Sequence, residues 1–226
     1  SSAASDVYKR QVPMRDFKEL NDWETVIFVY QSALKQVETK IDILNGEFQH
    51  RHKYNPIEHV KSRIKTPESI VKKLKRHGYE SSIENMVRYV NDIAGIRISC
   101  SFTSDIYLIA DMISKQNDLT ILARRDYMKN PKKSGYRSYH MLVTTPVFLS
   151  DSIIDTKVEI QIRTVAQDFW ATLEHKMHYK FEGDGPDYIT KELRECARYV
   201  AELDTRMEEL CLLYTSPSPR DMRRSR

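Results

Sequence analysis

The sequence predicts an α/β fold, a mixed β-sheet flanked by helices, with a long amphipathic helix at each end. Three observations predict it. Near the start, apolar residues recur at spacings of three and four through Leu20, Trp23, Ile27, Tyr30, Leu34, Val37, Ile41, Leu44 and Phe48, which is the stripe of an amphipathic helix. The same rhythm returns near the end at Ile189, Leu193, Cys196, Val200, Leu203, Met207 and Leu210. Between the two stripes the period falls to two in several short segments, and these strand-like segments are mixed with helical ones.

The elements follow in order. Pro67 suits the first turn of a helix that runs to about residue 76 and stops near Gly78. Ser81 or Ser82 can cap a short helix to about residue 90. Residues 95–102 alternate as a strand, 104–116 read as a helix, and 119–127 read as extended. Residues 136–147 and 156–164 form two further strands, and 165–180 a helix with Phe169, Trp170, Leu173 and Met177 on its apolar side. The two terminal stripes need partners. Ordinary core packing is the first use for them, and a contact between subunits is the other.

Composition narrows the function classes. The chain has 226 residues, 40% of them hydrophobic and 30% charged, which is a globular balance rather than a disordered one. Its longest stretch without a charged residue, 138–150, falls short of the roughly 20 residues that span a bilayer. No secretory signal pattern leads the sequence. Cys100, Cys196 and Cys211 are far apart and form no CxxC pair, so a reducing cytoplasm is the expected compartment.

The two ends read differently. Residues 1–11, SSAASDVYKRQ, and 211–221, CLLYTSPSPRD, resemble translated arms of a sequencing-library adapter. One inverted repeat can encode both DVYKRQ and CLLYTS. Segments 1–11 and 211–226 are therefore read as adapter-derived scar and set aside. They hold Lys9, Arg10, Arg220, Arg223, Arg224 and Arg226 against Asp6 and Asp221, so of 36 basic and 32 acidic residues 30 of each remain. The segment 12–210 is then neutral, and any anion site must come from local clustering. That segment divides into a helical arm at 12–54, a core at 55–183 and a terminal helix at 184–210.

Four local patterns carry chemistry. On the strand VEIQIRT, Glu159, Gln161 and Arg163 share one face while Val158, Ile160 and Ile162 share the other. On YRSYHMLV the same parity groups Tyr136, Ser138 and His140, and the loop KNPKKSG before it brings Lys129, Lys132, Lys133 and Gly135. An aromatic ring beside ammonium groups can hold a phosphorylated, planar ligand. The segment 61–76 carries seven basic residues and one acid, with Ser69, Lys72, Lys73 and Arg76 on one helical face, a pattern that suits a polyphosphate. In NDIAGIRI, Asp92 and Arg97 flank Gly95. Asp92 with Glu159 would make a two-carboxylate site for Mg²⁺. Each pattern alone also fits a solvated surface. Glu174, His175 and His178 imitate metal-ligand spacing, but with no third ligand of matching spacing a structural role is favoured over zinc. Cys100 shares a face with Ile96 and Ile98 and reads as a small core residue.

Taken together and in order, SRIK at 62–65, DIAGIRI at 92–98, RDY at 125–127, SGYRSYH at 134–140, EIQIRT at 159–164 and FWATLEHKMHYK at 169–180 resemble the small alarmone synthetases. The stretch NPIEHVKSRIKTPESIV is more similar to the RelP branch than to the RelQ branch. The resemblance implies a nucleotidyltransferase-like core and a pyrophosphokinase that moves the β,γ-pyrophosphate of ATP to the ribose 3′-hydroxyl of GDP or GTP, with Mg²⁺ as cofactor. It implies that Asp92 and Glu159 hold the metal, that Glu159 activates the hydroxyl, and that Gln161 stands beside it. Arg63, Lys65, Ser69, Lys73 and Arg97 fall where relatives hold ATP, with Arg63 and Arg97 on either side of the adenine. Arg125, Lys132, Tyr136 and His140 fall where relatives hold the guanine nucleotide, with Tyr136 stacking on the base. Asp168, where some relatives carry Asn, falls near the guanine pocket. The resemblance also implies a homotetramer, with RNA as a possible regulator rather than a substrate. No His-Asp dipeptide occurs, so the hydrolase activity of the long bifunctional relatives is not expected. The alternative is a degenerate module of the same fold that binds guanine nucleotides or single-stranded RNA without turnover.

Overall fold

The structure is a computed structural model and describes Leu20, residues 22–180 and residues 187–215. The adapter-like segment 1–11, residues 216–226 of the adapter-like segment 211–226, and the start of the expected terminal helix at 184–186 lie outside those residues. Eleven elements follow one another: α1 (Trp23–His52), β1 (Ile57–Ile64), α2 (Pro67–Arg76), α3 (Ile83–Tyr89), β2 (Ala94–Cys100), α4 (Thr103–Ser114), β3 (Thr120–Asp126), β4 (Tyr139–Phe148), β5 (Ile153–Thr164), α5 (Val165–Lys180) and α6 (Asp187–Thr215).

Local sequence sets the boundaries. Asp22 caps α1, its carboxylate accepting from the amides of Glu24 at 3.2 Å and Thr25 at 2.9 Å, a cap that typically contributes about 1 kcal/mol. Thr66 caps α2 with Pro67 at the first helical position. That helix ends as the glycine signal predicts: Gly78 sits at φ +77, its amide donates to the Lys75 carbonyl, and the Tyr79 amide donates to the Leu74 carbonyl. This paired arrangement satisfies two terminal carbonyls. Ser82 caps α3, its hydroxyl accepting from the Asn85 amide.

The strands form one sheet in the order β1-β2-β5-β4-β3, parallel between β2 and β5 and antiparallel elsewhere. The mixed α/β architecture expected from the pattern is therefore present. One face of the sheet holds the core. Ile96, Ile98, Val158, Ile160 and Ile162 are buried there against Val26, Val29, Ala33 and Val37 of α1 and Ile106, Ile109 and Ile113 of α4. The long first stripe is thus used for packing on the sheet, although its buried line takes in Val26, Val29 and Ala33 as well as Tyr30, Leu34, Val37 and Ile41. Cys100 is fully buried in the same core, and burial pushes its thiol pKa up. No helix among the described residues is long and apolar enough to cross a membrane.

Three expectations need correction. No strand was expected before Pro67, yet β1 forms the sheet edge over residues 57–64. Its partly or fully buried residues Ile57, Val60 and Ile64 are spaced by three and four, which imitates a helix. A register shift between Ile57 and His59 breaks the alternation that would have marked a strand. Second, β4 begins at Tyr139 rather than at 136. Residues 136–138 lie outside the ladder, so strand parity does not govern them. Third, α6 runs on through Thr215, past Leu210.

Candidate active site

The face of the sheet opposite the core carries the polar residues. Strand register places Lys61, Arg97, Gln161, His140 and Arg125 in one rung across all five strands. The next rung holds Arg63, Gly95, Glu159, Leu142 and Ala123. With α2, α3 and α5 around them, these rungs floor a cleft of about 620 Å³. A smaller hollow of about 230 Å³ adjoins it over Lys61, Arg63, Gly95 and Arg97. Asp92 and Glu159 line both. A Cβ built on Gly95 meets nothing within 4 Å, so this glycine keeps the floor between Arg63 and Glu159 open.

Asp92 lies in the turn between α3 and β2. Lys65 Nζ donates to one of its oxygens at 2.7 Å and Lys73 Nζ to the other at 2.7 Å. Burial pushes the Asp92 carboxyl up, but the two lysine hydrogen bonds and their charges outweigh it and hold the pKa at about 2. Asp92 is therefore an anion at every physiological pH.

Around Glu159 the polar contacts form two arms that start at Arg163. Arg163 Nη2 donates to Gln161 Oε1 at 2.6 Å, and Gln161 Nε2 donates to Glu159 Oε2 at 2.9 Å. Arg163 Nη2 also donates to the Tyr136 hydroxyl at 3.3 Å, and that hydroxyl lies 2.9 Å from His140 Nε2. His140 Nδ1 faces Glu159 Oε1 at 3.5 Å. Both arms end on the carboxylate. Burial pushes the Glu159 pKa up and the nearby Asp92 charge does the same, but His140 and Gln161 together bring it below the usual value. An ionised carboxylate with donors on one side and open cleft on the other can accept a proton from a bound hydroxyl.

The other expected residues fall into three groups. Arg63, Lys73, Arg97, Arg125, Lys132, Tyr136 and His140 line the cleft, as expected of nucleotide-facing groups. Lys132 Nζ stands 4.6 Å from the centre of the Tyr136 ring and 4.9 Å from that of Tyr127, and Arg163 lies 5.3 Å from the Tyr136 ring. Lys65 reaches the site through Asp92. Like Lys65, two further residues do not line the cleft. Ser69 is exposed, its hydroxyl accepting from Thr66 Oγ1 at 3.0 Å beside the α2 cap. Asp168 is 3.3 Å from Arg97 Nη1 and 3.7 Å from Arg163 Nη1, so it braces two guanidiniums. Ser138, grouped by parity with Tyr136 and His140, turns inward and donates to the Ile162 carbonyl at 3.1 Å.

Arg163 is a hub that no local pattern marks: strand parity groups it with Glu159 and Gln161, but its contact with Tyr136 depends on the loop before β4. Glu174 and His175 face the cleft, while the His178 side chain lies outside the described residues. Among the described residues no group of three or more His, Cys, Asp or Glu side chains forms a metal cluster. A hard cation that takes only two carboxylates fits Asp92 and Glu159. Both are ionised and both face the cleft, and each Asp92 oxygen keeps a lone pair beyond the one used by its lysine.

A five-stranded mixed sheet with a basic cleft around two ionised carboxylates is the arrangement of a nucleotide-binding phosphotransfer protein, and comparison with known proteins agrees. Residues 62–184 match the model of the region found in RelA and SpoT proteins. The chain belongs to the RelA/SpoT family, and its relatives there include small alarmone synthetases. It is 46% identical over 195 residues to the GTP pyrophosphokinase YwaC of Bacillus subtilis strain 168, covering 86% of this chain and 93% of that one. The crystal structure of small alarmone synthetase 2 from B. subtilis superposes with a TM-score of 0.77 at 44% identity, covering 84% of this chain and 98% of the other. That of small alarmone synthetase 1 from B. subtilis, bound to its product pppGpp, gives 0.80 at 33% identity and covers 86% and 98%.

Proposed function

We propose that this protein is a GTP pyrophosphokinase that synthesises the alarmones ppGpp and pppGpp. The ribose 3′-oxygen of GDP or GTP attacks the β-phosphorus of ATP, the bond from that phosphorus to the α,β-bridging oxygen breaks, and AMP leaves. The observation that carries the reading is the set of Gln161 and His140 contacts that hold Glu159 ionised beside Asp92 in a cationic cleft.

Glu159 takes the proton of the 3′-hydroxyl, a poor nucleophile near neutral pH, and such a base contributes about 10²–10⁴-fold. Gln161 and His140 hold the carboxylate in place. Arg63, Lys65, Lys73 and Arg97 sit on the β1–β2 side of the cleft and bind the donor, with Arg63 and Arg97 at the adenine. Ser69 belongs to this donor side through the cap of α2. Arg125, Lys132, Tyr136 and His140 sit on the β3–β4 side and bind the acceptor, with Tyr136 as the stacking surface once Lys132 moves to the phosphates. Asp168 orients Arg97 and Arg163. Asp92 and Glu159 would hold Mg²⁺, which when bound neutralises charge on the phosphate oxygens. The RelP-like branch, the homotetramer and a cytoplasmic location complete the proposal.

Incubation with ATP, GDP and Mg²⁺ followed by anion-exchange chromatography tests it. Equal amounts of AMP and of a guanosine carrying a 3′-pyrophosphate are expected. Nucleotide binding without AMP release would overturn the enzyme in favour of a binding module.

A further inference from the structure

We infer that Lys157, which does not line the nucleotide cleft, is a positioning residue that fixes the Asp92 turn relative to Glu159 and so sets how the two carboxylates share a divalent cation. The inference rests on the reading of Asp92 and Glu159 as the metal site.

The ladder between β2 and β5 begins at the pair Gly95–Glu159. Asp92 lies before it, so no sheet hydrogen bond ties its backbone to the strand that carries Glu159. Lys157 stands two residues before Glu159 on the same face of β5. Its Nζ donates to the Val87 carbonyl at 3.0 Å and to Asn91 Oδ1 at 3.2 Å. Helix α3 ends at Tyr89, and its last intrahelical-type bond runs from the Val90 amide to the Met86 carbonyl. The Val87 carbonyl is therefore an open helix-end acceptor of the kind that lysines satisfy. Asn91 is the residue next to Asp92. Lys157 thus ties the end of α3 and the residue before Asp92 to β5, where the ladder has stopped. From the other flank, the Lys65 amide donates to the Ile93 carbonyl at 2.8 Å.

Lys157 is partly buried, and taking an ammonium out of water carries a cost that a surface lysine would avoid. Here the cation is spent on a carbonyl and an amide oxygen, which is the pattern of a brace rather than of a solubilising charge. In metal sites, groups that orient the ligands without touching the ion typically influence affinity by about 10–100-fold.

The test compares calorimetric binding of α,β-methylene-ATP in EDTA with binding of the same analogue with Mn²⁺, in the full chain. Lys157→Met keeps the methylene stem and removes the donors. The expected result is a loss of about tenfold in the metal-dependent gain in affinity, with binding of the metal-free analogue and of GDP within twofold of the parent. Asn91→Ala removes one acceptor and is expected to move the same ratio in the same direction by less, and it decides the matter if Lys157→Met does not fold. An unchanged metal-dependent gain, or an equal loss with and without metal, overturns the brace. Asp92→Asn and Glu159→Gln separate the two levels. If the gain survives in both, the metal site itself is misassigned and the inference falls with it. If they abolish the gain and Lys157→Met does not change it, only the brace falls.

Discussion

At Glu159 two arms converge: Arg163 donates to Gln161 and Gln161 to the carboxylate on one, and on the other Arg163 donates to the Tyr136 hydroxyl, which lies 2.9 Å from His140 Nε2. Glu159→Gln keeps the volume and the packing but cannot accept the hydroxyl proton. Release of AMP is expected to fall by about 10²–10⁴-fold, while GDP, and ATP in EDTA, still bind by calorimetry within a few-fold of the parent. Normal turnover in that variant would exclude Glu159 as the base. At this scale the sequence was informative where a single strand sets the geometry: residues 159, 161 and 163 do share the cleft face. It was uninformative where contacts cross the fold. Lys65 and Lys73 meet Asp92 across separations of 27 and 19 residues, and no local pattern encodes that meeting. Ser138 left the expected face because parity applies only within a ladder.

Elements rather than residues decide how the lysine-bearing loop before β4 is held. Gly135 has φ +95, and a Cβ there would stand 2.5 Å from the Ala197 Cβ of α6. Arg194 of α6 also donates to the Lys133 carbonyl at 3.0 Å, and Trp170 of α5 donates to the Leu193 carbonyl at 2.9 Å. Gly135→Ala is strained in backbone and must push loop and helix apart. Steady-state kinetics are expected to show KM for GDP raised several-fold with KM for ATP little changed, and equal changes in both would refute the division of the cleft. The α5–α6 junction gives a pH prediction. Buried Asp204 accepts from Thr164 Oγ1 and Gln167 Nε2, each at 2.8 Å. Burial raises its pKa against the lowering by those two bonds; Glu208 adds to the rise and Arg137 opposes it. A carboxyl raised in the folded state opposes folding when ionised, so this penalty is present above its folded pKa and vanishes as pH falls toward 3.8. Asp204→Asn keeps an acceptor oxygen without the charge. Urea unfolding is expected to find the variant as stable as the parent or more stable at pH 7, with any advantage gone below pH 4. A variant less stable at pH 7 and equally so in acid would contradict the sign. The helices and central strands were legible because caps, glycine stops and alternation agreed locally. The edge strand β1 was not, since one register shift and apolar spacings of three and four hid its period.

For the molecule as a whole, what stands out is where apolar surface remains. The first stripe is consumed by the sheet, but the second is not. Leucines and methionine on the outer side of α6 stay half-exposed, with Leu203 at 51%, Met207 at 51% and Leu210 at 52%. Scattered exposed leucines are ordinary, yet three at helical spacing along one element form a continuous strip. The inner side of the same helix is engaged, with Ala197 buried against Trp170 and Ala171. A helix that packs through one face and offers a second apolar face is suited to association between copies, which the proposed homotetramer requires. Because α6 also backs the loop that carries Lys132, association through its outer face would stiffen the acceptor side. Sedimentation velocity is expected to show a species several times heavier than the 26.6 kDa chain. Leu203→Glu with Met207→Glu places two charges on the strip and is expected to shift that species to monomer while circular dichroism stays unchanged. A parent that sediments as a monomer at tens of micromolar, or a double variant that keeps the parent's mass, would remove α6 as the assembly surface and leave the exposed strip without that role.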